Sequence, residues 1–221
     1  MYGREADALA AQCKELEALI GELEPGEWER PTRCPPMTVK DMCSHLGGIF
    51  ERLARYTKET VEGPPTTDRV GYYRYDPVEI GKLVLARVEE ESGSRTAEEV
   101  RDWLLGGMRE ALGAVESTPA DHVVEPPHGK LLLREFVATR VLEAAVHTAD
   151  IGHATLRGER IHPDAAEIVR EILDGLLGAE LPQGLGWDAR TYILTGTGRR
   201  PLESGERFVL GPLSAKFPLL S

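Results

Sequence analysis

With 221 residues the chain has enough material for one substantial core and a small appendage, but not for tandem full domains. A formal net charge of −11 and a sequence pI near 5.1 argue against nucleic acid as a partner, because phosphate backbones are gripped by clustered Lys and Arg. No stretch reaches the ~18 apolar residues of a membrane span, and MYGREADALAAQ is not a signal pattern; the expectation is a soluble, cytoplasmic protein with no membrane partner.

In chain order, Leu9, Cys13, Leu16, Leu19, Ile20 and Leu23 recur at helical spacing and predict an amphipathic helix over residues 5–23. The Pro-rich EPGEWERPTRCPPMT cannot continue it, since each Pro lacks an N–H and restricts the residue before it. Thr38, with Asp41 three residues on, then caps a second helix through Met42, His45, Leu46, Ile49, Leu53 and Tyr56. That puts His45 in the second turn, near the end of a bundle, where a site can open to solvent.

After GPPTT and the loop GYYRYDP, helical pattern runs from Val78 to Glu91 and again from Thr96 to Val115, as one interrupted helix or two. TPADHVVEPPHGK precedes a helix over about residues 131–155. A shorter helix occupies residues 163–178, opened by Pro163 and closed by Gly178. Beyond it, the β-prone TYILTGT, the turn GRRPLESGE and RFVLGP predict a small hairpin.

The helix over 131–155 carries the densest chemistry. A helix turns about 100° per residue, so Glu143 and His147 project about 40° apart, and a second helix can bring His45 to them. Three such ligands leave a coordination position open, as catalytic rather than closed structural metal sites do. Arg140, Glu143, His147 and Asp150 follow one stripe at steps of three, four and three. Spacing alone leaves two readings open. Facing inward, the stripe needs a partner such as a divalent cation; facing outward, it is a solvated surface with an Arg140–Glu143 ion pair.

Arg140 can clamp a substrate carboxylate, with a salt bridge to Glu143 as the competing role. Asp150 can orient a ligand or a cofactor, or serve as a structural partner. Tyr72, Tyr73 and Tyr75 can line a substrate mouth or simply pack, and Arg199 and Arg200 read first as a solvated turn. His122, His128, His153 and His162 read as surface histidines. The three cysteines follow no CxxC spacing and read as reduced thiols. Cys43 points about 160° from His45 and is read as structural, whereas Cys34 stays undecided.

The run WERPTRCPPMTVKDMCSHLGGIFERL followed by LEAAVHTADIGHATLRG resembles the N-terminal domain of the mycothiol-dependent maleylpyruvate isomerase family, a branch of the DinB-like metal-binding four-helix bundles. Met37, Thr148 and Ala149 stand where many relatives carry other residues. The resemblance implies an all-α four-helix bundle over residues 1–160, followed by a short helix and a small appendage over 161–221. It implies a divalent metal, most often zinc, on His45, Glu143 and His147, with Asp150 as a cofactor-binding or catalytic residue beside Arg140. It also implies mycothiol as the thiol partner, held as a thiolate that attacks a small-molecule electrophile in S-transfer or in cis/trans isomerisation. Metal-assisted hydrolysis and non-catalytic ligand or partner binding are the alternatives on the same bundle. Oligomeric state is left open.

Overall fold

The computed structural model describes residues 3–220. Helix α1 (Arg4–Gly21) lays Leu9, Cys13, Leu16, Leu19 and Ile20 into the core. Its successor, α2 (Val39–Tyr56), starts at the capping box read from the sequence. The Asp41 N–H donates to Thr38 Oγ1 at 3.2 Å, and the Thr38 N–H donates to Asp41 Oδ2 at 3.0 Å. Such a cap satisfies two of the orphan donors at a helix start. Met42, Leu46, Phe50 and Leu53 are fully buried on α2, each contributing roughly 1.5–3 kcal/mol of transfer free energy.

The two helical patterns between residues 78 and 115 are separate helices, α3 (Pro77–Gly93) and α4 (Ala97–Ser117), the second capped by Thr96. Helix α4 lies tightly along α2. A Cβ on Gly47 would stand 2.9 Å from the Trp103 ring, so only glycine permits the approach. Helix α5 (Leu133–Ala154) buries residues on every side, including Phe136, Val137, Val141, Ala144, Ala145 and Ile151, as a central helix must. Helices α1, α2, α4 and α5 form the four-helix bundle, and α3 rides outside on α2. Little of α3 is covered; Val88 and Ser92 are buried, whereas Val78 and Leu83 are exposed.

A β pair does occur, but not where the sequence predicts it. Strands β1 (Val123–Val124) and β2 (Leu131–Leu132) pair antiparallel just before α5. The predicted C-terminal hairpin is instead helical: α6 (Pro163–Leu177) packs on α5 and α1, and is followed by α7 (Ala189–Gly196) and α8 (Ser204–Leu210). TYILTGT has strand propensity, but Asp188 caps the segment by accepting from the Thr191 N–H at 2.7 Å. Tyr192 and Ile193 are then buried as α7 packs on α6. Tertiary packing overrides local propensity here, as it commonly does for β-prone segments. No helix among the described residues is long and apolar enough to cross a membrane.

Candidate metal centre

The stripe on α5 faces inward. Arg140 is 6% exposed and Asp150 is fully buried, while the side chains of Glu143 and His147 keep 18% and 13% exposure. This removes the solvated-face reading. His45 reaches the stripe from α2, its Nε2 3.8 Å from Glu143 Oε2; His147 Nε2 lies 3.3 Å from the same oxygen. The two imidazole rings stand edge to face, centroids 5.1 Å apart. One donor atom from each of the three residues falls within 4.8 Å of the others. Zinc bonds such ligands at about 2.0–2.2 Å, so donors spaced this way can share one ion.

Neighbouring groups orient the donors. His147 Nδ1 lies 3.1 Å from Asp150 Oδ2, which keeps a proton on Nδ1 and holds the ring with Nε2 facing Glu143. The Tyr73 hydroxyl lies 3.2 Å from Glu143 Oε1 and 3.0 Å from the Thr139 carbonyl, and donates its single proton to one of them. Burial pushes His45 down to about 4, more than the Glu143 carboxylate restores, so this imidazole is neutral at physiological pH. Burial also opposes charge on Glu143, but hydrogen bonds from His147 and His45 and the nearby Arg140 hold it well below the usual carboxylate range. Burial likewise opposes the imidazolium of His147, yet hydrogen bonds to Asp150, Cys34 and Glu143 prevail and hold it well above its ordinary value. Without a metal, His147 carries the proton that neutralises this cluster.

A second donor group, Cys34 with His147 and Asp150, is equally compact. Electrostatics separates the two. Arg199 Nη2 lies 3.0 Å from both Cys34 Sγ and Asp150 Oδ2, and Arg33 Nε is 3.3 Å from Asp150 Oδ1. Two guanidinium groups already neutralise that corner and repel a cation, so the His45, Glu143 and His147 set is the better fit for a divalent ion.

Several expectations change on contact with the geometry. Arg199 is not in a solvated turn. Gly198, at φ +74°, lets the chain fold back so that Arg199 reaches Asp150 across 49 residues of sequence. Cys34 joins the same corner, its thiol 3.4 Å from Asp150 Oδ2, because Arg33 staples its loop to the Ala149 carbonyl at 3.2 Å. Arg140 makes no ion pair with Glu143; its Nε donates to Thr139 Oγ1 at 3.1 Å and its Nη2 to the Tyr72 hydroxyl at 3.3 Å. His128 is not a free surface residue, since its ring packs 4.8 Å from Tyr75 and 5.1 Å from Tyr72. His153 is exposed, as expected, and Cys43 is fully buried, with burial pushing its thiol up. Met37 and Ala149 pack in the core, and the Thr148 hydroxyl donates to the Ala144 carbonyl at 2.6 Å.

Fold and site together define a class: an all-α four-helix bundle that gathers two imidazoles and a carboxylate from two of its helices. Within that class, the chain belongs to the family described as the mycothiol maleylpyruvate isomerase N-terminal domain, whose model matches residues 9–152. Among solved structures, it is similar to a histidine-to-alanine mutant of the mycothiol-dependent maleylpyruvate isomerase. The TM-score is 0.52 at 15% identity, over 81% of this chain and 69% of that one, a likeness of fold. No curated protein matches the sequence.

Proposed function

We propose that this chain is a metal-dependent enzyme that uses mycothiol, or a similar low-molecular-weight thiol, as an activated nucleophile toward a small electrophile. The observation that carries the reading is the three-donor set His45, Glu143 and His147, partly open to solvent. A divalent ion held there would supply Lewis acidity, bringing a thiol of pKa near 8.5 to its thiolate at neutral pH.

The chain's own residues do the rest. His45 stays neutral and offers Nε2, and Asp150 retains the Nδ1 proton of His147 so that its Nε2 is free to bind. Tyr73 steadies the second oxygen of Glu143. Arg199 and Arg33 hold Asp150 ionised and in place. Asp150 is therefore a positioning residue, and the segment after residue 160 takes part in the site through Arg199. We accordingly read residues 161–221 as an appendage that completes the bundle of residues 1–160. In a transferase, attack of the thiolate sulfur on an electrophilic carbon gives a thioether, either by expelling a leaving group such as halide or by adding across an activated double bond whose neighbouring carbon takes up a proton. In an isomerase the adduct rotates and expels the thiol.

Turnover of a chromogenic aryl halide or enone, followed with and without mycothiol, checks the reading. The expected result is turnover that requires both the thiol and a chelatable metal. Thiol-independent hydrolysis would replace the proposal with metal-assisted hydrolysis, and an intact metal centre that binds no thiol would replace it with a binding module.

A further inference from the structure

Arg69 carries a largely buried guanidinium, with 15% of its side chain exposed, that the proposed reaction leaves unused. It answers carboxylates on three helices: both oxygens of Glu135 on α5, at 2.7 and 3.0 Å, Glu5 on α1 at 2.8 Å and Glu171 on α6 at 3.2 Å. Its backbone N–H also donates to Glu135 Oε2, at 3.3 Å. A fork engaged at both edges is fixed in direction, unlike the loose ion pairs of an exposed surface. Glu135 precedes Glu143 by eight residues on α5, about 12 Å along the axis. Arg69 therefore touches none of the three donors.

The turn that follows Arg69 closes this gap. Asp68 Oδ1 accepts from the Val70 and Gly71 N–H groups at 3.0 and 2.7 Å, and the Tyr72 N–H donates to the Asp68 carbonyl at 2.9 Å. Val70 fills a notch on α6, where a Cβ on Gly175 would stand 2.4 Å from Val70 Cγ2. The short helical turn Gly71–Tyr73 then carries Tyr72 and Tyr73 into the interior, both buried. The Tyr73 hydroxyl reaches Glu143 Oε1 and the Thr139 carbonyl, and of these two acceptors the ionised carboxylate is the stronger. A turn anchored on three helices thus ends on a hydroxyl that faces a metal donor.

We propose that Arg69 is a positioning residue for the metal centre: by pinning the turn of residues 68–73 to α1, α5 and α6, it sets the Tyr73 hydroxyl against Glu143 and so fixes how that carboxylate meets an ion. The proposal rests on the reading of His45, Glu143 and His147 as a metal centre.

The test measures zinc affinity of the full chain by competition with a chromogenic chelator, without thiol or substrate, beside the unfolding temperature of each variant. Tyr73→Phe is expected to weaken zinc about tenfold, the effect of losing a group that orients a ligand. Arg69→Met is expected to weaken it at least about fivefold, and the double variant to fall no more than about twofold below Tyr73→Phe alone, because both act along one route. A clamp that serves stability alone would lower the unfolding temperature of Arg69→Met and leave zinc affinity untouched. If Arg69→Met does not fold, Gly175→Ala approaches the same turn from α6, since the added Cβ must push Val70 aside; it should weaken zinc in the wild-type background and not in the Tyr73→Phe background. No thiol is present, so a failure of the thiol chemistry leaves this result unaffected, and zinc held by wild type but lost in His147→Ala establishes the centre itself. Zinc affinity within about twofold of wild type in folded Arg69→Met, or a loss of equal size with and without Tyr73→Phe, would overturn the proposal. Wild type that holds no zinc would overturn it together with the metal reading.

Discussion

Replacing His147 with alanine is expected to yield a folded chain that retains no divalent ion and shows no thiol-dependent turnover. The residue is one of three donors, and loss of a group that merely orients a ligand already costs about 10–100-fold in metal affinity. Loss of the ligand itself should exceed that. The same residue sets the pH dependence. Hydrogen bonds hold its imidazolium well above the ordinary histidine value in the metal-free protein, so an entering ion must displace a proton. Metal affinity is therefore expected to fall as pH is lowered, and calorimetry in buffers of different ionisation enthalpy should record a proton released per ion bound.

The stability of the metal-free protein moves the other way. With the folded value raised, the contribution of His147 is fully present below about pH 6.5 and is lost as pH rises through the folded value. His147→Ala should flatten both dependences. A variant that keeps full metal occupancy in elemental analysis would remove the cluster from consideration as a metal centre.

The second large effect is expected at Asp150→Asn. The carboxylate is fully buried between Arg199 and Arg33 and bonded to His147. Burial opposes its charge, but His147 and Arg199 hold it well below the usual range. Its stabilisation is therefore present above the unfolded value of about 3.9 and is lost only as pH falls through the depressed folded value. Removing the charge leaves the Arg199 guanidinium without its carboxylate and Arg33 with Glu159 alone. Breaking one side of a buried pair typically costs about 3–5 kcal/mol, and denaturant unfolding at neutral pH should show a loss of that order. Metal affinity should drop about 10–100-fold, because Nδ1 of His147 loses its acceptor.

Adding Arg199→Met to Asp150→Asn should recover part of the stability, since it removes one stranded cation, and the two losses should fall short of additive. Recovery of stability without recovery of metal affinity would separate the structural role of Arg199 from the orienting role of Asp150. A change in stability below about 0.5 kcal/mol, the range of ordinary surface substitutions, would contradict the buried geometry.

What a single sequence discloses depends on how local the physics is. The cap at Thr38 and Asp41 and the α5 stripe follow from helical periodicity and short-range hydrogen bonding, whereas the set of His45, Glu143 and His147 is what the family resemblance implies; the structure brings these three side chains together. The strand propensity of TYILTGT is overridden by burial of Tyr192 and Ile193 in the contact with α6, which no window of sequence contains. The role of Arg199 is hidden for a similar reason: its partner lies 49 residues upstream, and only the fold brings them together. Gly198 before it was the one local sign that the chain could double back there. Arg140 and Glu143 do share the α5 stripe, as helical spacing predicts. The Arg140 side chain turns instead to Tyr72, which enters from the loop before α3, and leaves Glu143 to the two histidines.

The central claim is that the three-donor cluster holds an ion with a position open to a thiol. Cobalt(II) reports on this directly, because a thiolate that joins its coordination sphere produces an intense sulfur-to-metal charge-transfer band in the near ultraviolet. Cobalt-substituted protein titrated with mycothiol is expected to develop that band at one equivalent of thiol per bound ion, with none in His147→Ala and none when a hydroxyl analogue replaces the thiol. Cobalt bound at one ion per chain with a spectrum that excess mycothiol leaves unchanged would contradict it.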